Sequence, residues 1–126
     1  MRSEKNKEMI FIYILLGLAF FFSYPTAIMA HPPKNLTAEY DIQSQKLTVR
    51  IDHGSFSPKM HYINIVEVKK NSQVVINQTY KSQPDKNPFE YTYEIPAQPG
   101  DILEIKAGCN MYGSKTVSIT VANQNK

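Results

Sequence analysis

Cysteine is almost missing from this chain: Cys109 stands alone among 126 residues, so no intramolecular disulfide can staple the fold. A lone thiol is a buried small hydrophobe, a pairing partner for another chain, a nucleophile or a metal ligand. Clustered basic charge is missing too. Residues 1–30 hold three of the 14 basic and two of the 11 acidic side chains, which leaves residues 31–126 with a formal charge of +2 and no basic stripe. That excludes nucleic acid as a partner. No Ser-His-Asp order, glycine-rich phosphate loop or close carboxylate pair stands out, and nothing places an oxyanion hole beside a Cys–His pair, so hydrolase chemistry is set aside. Internal repeats, low-complexity tracts and helical periodicity are absent from residues 31–126.

Long hydrophobic runs are scarce. The apolar core Ile10–Phe22 is 13 uncharged residues, preceded by Arg2, Lys5 and Lys7 and followed by the more polar SYPTAIMA. A membrane-spanning helix needs about 20 apolar residues. The layout is that of a secretory signal, with the small residue Ala30 placed for cleavage before His31. Retention as an N-terminal anchor is the alternative, because Ile28 is bulky for its position and Ile10–Ala30 spans 21 residues. In both cases residues 31–126 are exported, to the periplasm or the cell exterior, and meet a membrane only through the N-terminal segment.

Residues 31–126 suffice for one modest core, not for two domains. β-Branched and aromatic residues recur with period two between turn signals about ten residues apart, which predicts an all-β, immunoglobulin-like antiparallel sandwich of about seven strands. The expected strands are Leu36–Asp41, Lys46–Asp52, Tyr62–Lys69, Gln73–Lys81, Phe89–Ile95, Ile102–Ala107 and Lys115–Ala122. Leu47-Val49-Ile51, Ile63-Ile65 and Val117-Ile119-Val121 each put apolar side chains on one strand face and mark the core. Lys70-Asn71-Ser72 suits a tight hairpin, Pro99-Gly100-Asp101 a turn, and Ser82–Pro88 a polar loop.

Chemistry-bearing residues fall at strand ends and in loops. His53 and His61 flank the loop GSFSPKM, while Cys109 lies in AGCNMYGSK, a turn between the sixth and seventh strands in which Gly108 and Gly113 permit conformations closed to other residues. In an antiparallel sandwich both loops can lie at one end. Imidazoles and a thiolate together favour a soft or borderline metal, although the paired C-x-x-C spacing of zinc sites is absent.

His53, Pro58, HYINIVEV at 61–68, PGDILEI at 99–105 and CNMYG at 109–113 together resemble, in order and spacing, the superoxide reductase family, the desulfoferrodoxin or neelaredoxin iron-binding domain. The resemblance covers most of residues 46–121. It implies an immunoglobulin-like sandwich and a mononuclear, non-haem ferrous centre with four equatorial histidines and an axial cysteine thiolate, which reduces superoxide to hydrogen peroxide with electrons from a small donor protein. On this reading His53, His61 and Cys109 are ligands, and His31, 22 residues before His53, is the counterpart of a further histidine. Tyr112 occupies the place of the family's last histidine, offering a phenol for an imidazole. Gly54 replaces a proline, the His53–His61 spacing is longer, Ile65 replaces a tryptophan, and the family lysine beside the first histidine is missing. Cys109, opposite the substrate, would tune the iron, and Lys59 is the candidate cation for drawing in superoxide.

Two other readings stay open. Cleavage before His31 would expose an α-amine that, with its imidazole and that of His53 or His61, makes a copper site, with Met60 and Met111 as further Cu(I) donors. The domain could equally be a metal-free exported binding or structural module, with Tyr80, Tyr91 and Tyr93 in cross-strand pairs and glycosylation patterns at Asn35 and Asn77.

Overall fold

The structure is a computed structural model that describes residues 3–10, 13 and 31–123. Residues 3–10 and 13 are helical and exposed; the rest of the expected signal or anchor segment lies outside the described residues. Among the described residues no helix is long and apolar enough to cross a membrane.

Seven strands follow: β1 Asn35–Asp41, β2 Lys46–Asp52, β3 Ile63–Lys70, β4 Gln73–Thr79, β5 Phe89–Glu94, β6 Ile102–Cys109 and β7 Ser114–Thr120. All pairings are antiparallel, in a three-stranded sheet β1-β2-β5 and a four-stranded sheet β4-β3-β6-β7. In six strands this is the immunoglobulin constant-type order; β4 sits on the edge of the β3 sheet instead of beside β5. Most expected strand ends shift by one or two residues. The shift with consequences is at β6, where Gly108 and Cys109 pair with Ile65 and Ile63, so Cys109 ends a strand and does not lie in the turn.

Alternation explains the layers. Leu47, Val49 and Ile51 of β2 and Leu103, Ile105 and Ala107 of β6 are buried in register, and Ile63, Val66 and Val68 of β3 join them across a bulge between Ile63 and Ile65. With Leu36, Phe89, Ile95 and Val121 they form one core between the sheets. Asn71 and Ser72 both adopt positive φ, 49° and 70°, as a two-residue hairpin between β3 and β4 requires. Gly100, at φ 91°, makes the turn into β6.

The aromatic residues of β5 close one side. Tyr80 stacks on Tyr91 with ring centroids 4.2 Å apart and bonds the Tyr93 hydroxyl at 2.7 Å. Burial, with the neighbouring Tyr80, pushes the Tyr91 phenol up to about 12, and burial followed by the Tyr80 hydrogen bond raises Tyr93 further. Because the unfolded chain ionises these phenols near pH 10 and the folded chain does not, the unfolded state binds fewer protons above that pH. Stability therefore falls from about pH 10 toward pH 12; denaturant unfolding across that window, compared with Tyr91→Phe, measures it.

Burial by alternation also predicts a contrast within one strand. Ile105→Ala, at a fully buried position, should cost about 2–5 kcal/mol, whereas Ile102→Ala, 51% exposed, should change stability little by the same denaturation assay.

Candidate metal centre

Three inward rows run past the apolar core and end in polar side chains. Leu47-Val49-Ile51 is followed two residues on by His53, Leu103-Ile105-Ala107 by Cys109, and Ile63 is preceded two residues earlier by His61. Period two keeps each on the inner face. Since β2, the start of β3 and the end of β6 lie at one end of the sandwich, the three ligand atoms gather there, all within 4.8 Å of one another.

His53 is completely buried, in the loop after β2. Its ring is aimed by Gln83, itself 7% exposed. The Gln83 Nε2 donates to the His53 carbonyl at 2.7 Å and its Oε1 accepts from the Ile63 N–H at 3.1 Å, which settles the amide's orientation. The same Oε1 lies 2.7 Å from His53 Nδ1, so Nδ1 carries the proton and Nε2 keeps its lone pair. Asn87 accepts from the His53 backbone N–H at 2.9 Å and donates to Asp52 at 2.8 Å. The loop Ser82–Pro88 thus holds the first ligand.

Asn110 performs the equivalent task for the other two. It exchanges backbone and side-chain bonds with Tyr62 at 3.0 and 2.9 Å and donates to the Met60 carbonyl at 2.9 Å, clamping the segment that carries His61 against the end of β6. Cys109 Sγ, half-buried, accepts the Met111 N–H at 3.5 Å and donates to Asn110 Oδ1 at 3.9 Å. Gly113, at φ 80°, closes the turn by accepting the Cys109 N–H at 2.9 Å. Gly108 has a different reason from the one expected: it has no positive φ, but a Cβ there would meet Ile65 Cγ2 at 2.7 Å.

His31 reaches the same place from the N-terminal side. Lys34 N–H donates to Asp52, Lys115 donates to the Lys34 carbonyl, both at 2.7 Å, and Pro32 packs on Gly113. These tethers set the exposed His31 ring 5.4 Å from that of His53 and 5.5 Å from that of His61, centroid to centroid, with His53 and His61 4.6 Å apart. The Pro32 carbonyl accepts from His31 Nδ1 at 3.1 Å, leaving the His31 Nε2 lone pair free as well. Lys59 and Tyr112 are both exposed, Tyr112 at 69%, on the two loops that border the cluster.

The donors fit a metal ion. The Nε2 atoms of His53 and His61 are buried without a hydrogen-bond partner, a costly state that a bound cation would relieve. Burial, then the imidazoles of His53 and His31, holds His61 below the ordinary histidine range, so it is neutral and ready to ligate at pH 7. Imidazoles with one thiolate suit iron, copper or zinc. Gln83 and Asn87 were not legible as site residues, since a glutamine in a polar loop gives no sequence signal; Asn110 at least follows the cysteine. Compared with the models of known protein families and with curated proteins, the chain matches none.

Gln83→Leu should lower metal affinity about 10–100-fold while leaving cooperative unfolding intact, and Gln83→Glu, which keeps the acceptor for Nδ1–H, should restore part of it. Competition titrations with a chromophoric chelator read the affinity, and nitrogen NMR shifts of His53 in the metal-free protein read the tautomer.

Proposed function

We propose that residues 31–126 form an exported mononuclear iron domain of superoxide reductase type. The observation that carries this reading is the convergence of His53, His61 and Cys109, with two buried imidazole nitrogens left unpartnered toward one another. His53 and His61 would hold the ion through Nε2, Cys109 through Sγ, and His31 stands beside them as a further nitrogen donor. Bound iron(II) would supply the single electron that, with two protons from solvent, turns superoxide into hydrogen peroxide, and a small electron-donor protein would return that electron.

The protein's own groups have defined tasks in this scheme. Gln83 keeps His53 in one tautomer, Asn110 keeps His61 opposed to Cys109, and the Met111 N–H stabilises charge on sulfur. Lys59 lends positive charge to the approach for an anionic substrate. Three imidazoles are gathered where the resembled family has four, and Tyr112 leaves that fourth position to a phenol on the rim.

The nearness of the His31 ring supports a second reading, in which cleavage before His31 adds an α-amine and the site takes copper. Metal analysis and a visible spectrum of protein purified without chelators and then oxidised separate the two. Iron near one per chain, with a thiolate charge-transfer band that Cys109→Ala abolishes together with superoxide consumption, is the expected outcome. Copper without that band, lost when one residue is added before His31, would replace it with the second reading; activity surviving Cys109→Ala would end the reductase mechanism.

A further inference from the structure

The loops that border the metal cluster carry large apolar side chains with nothing to pack on. Phe56 is fully exposed, Met60 74%, Tyr112 69% and Met111 47%. Asn110 ties the two loops together through the Met60 carbonyl and Tyr62, so these side chains belong to one rim. Grouped exposure of this kind marks a docking surface, not ordinary surface composition. The charge at this end is mostly of one sign: the segments 31–34, 54–60, 81–88 and 110–113 contain Lys34, Lys59, Lys81 and Lys86 against Asp85, with Asp52 at the end of β2.

The chain itself indicates what covers this end. His31 lies against His53 and His61, so the sandwich domain begins at the rim. The anchor alternative, Ile10–Ala30, is 21 residues long and ends directly before His31. An anchor of that extent in a bilayer would therefore hold the rim, and not the opposite end, toward the lipid.

We propose that the metal-bearing end of the sandwich rests on an anionic membrane surface, with Phe56, Met60, Met111 and Tyr112 in the headgroup boundary and Lys59 among the lipid phosphates. Aromatic and thioether side chains suit that layer, and lysines in excess of carboxylates suit anionic lipid. The placement rests on retention of the N-terminal segment and not on iron at the site, so it stands or falls separately from the reductase reading.

The test uses the full chain, methyl-labelled at methionine and valine, in nanodiscs containing phosphatidylcholine with phosphatidylglycerol and a headgroup nitroxide lipid. The Met60 and Met111 methyl signals should be strongly attenuated. Those of Val74 and Val75, also exposed but next to the hairpin at the far end, should remain. Phe56→Ser should weaken the attenuation about tenfold, as loss of one buried aromatic ring predicts, and Lys59→Glu about fivefold, only when phosphatidylglycerol is present. The result should be the same with and without bound metal. Equal attenuation at both ends, or none at Met60 and Met111, would overturn the proposal. So would Met60 and Met111 shifts that follow protein concentration and ignore the nitroxide, because the rim would then be covered by a second copy.

Discussion

Alternation along β2 and β6, and along β3 on either side of its bulge, is the constraint on which the rest of this molecule depends. One inner face has to serve two solvents in succession: first the apolar interior built from Val49, Ile51, Leu103 and Ile105, then, one step further along the same rows, His53 and Cys109. The strands that exclude water from the core therefore also deliver the donors to a common point. A slip of one residue in any of the three would turn a ligand to the outside together with every core residue on that strand. The register that stabilises the fold and the register that assembles the site are one and the same.

The polar residues that support the donors come from elsewhere. Gln83 and Asn87 lie on a loop that contributes little to the core, yet between them they hold both the ring and the backbone of His53. Asn110 does the same between the two sides of the other pair. A buried imidazole with one nitrogen satisfied and the other bare is an unfavourable arrangement in an otherwise apolar setting. His53 shows that arrangement, and the bare, buried Nε2 of His61 across from it is what distinguishes this end of the sandwich from an ordinary loop cluster.

Much of this was legible in the sequence, for reasons that can be named. Period-two patterning and turn residues predicted seven strands in a sandwich, because the sheets are half-buried and the signal is strong in Leu47-Val49-Ile51 and Lys70-Asn71-Ser72; the expected Ile63-Ile65 face fails because the bulge after Ile63 turns Val66 inward in place of Ile65. His53, His61 and Cys109 were identified as candidates from residue type and loop position, and their parity with the core rows was available in the same pattern. The extension of β6 to Cys109 was hidden by Gly108, whose weak strand preference reads as a turn although its role is to let Ile65 approach closely. Gln83 was invisible because its role is fixed by tertiary contacts with residues 20 and 30 positions away.

The arm that brings His31 to the cluster begins with Pro32 and Pro33, whose rings limit backbone rotation, and Pro32 is wedged against Gly113. One imidazole is thus carried on a short stiff arm outside the sheets, while the other donors stand at or just beyond the ends of β2, β3 and β6. In the proposed metal centre such a division would separate capture from retention: the built-in donors would set how tightly an ion is held, and the arm, fixed at Lys34 to β2 and β7 but free of strand pairing at His31, would set how quickly one ion is exchanged for another.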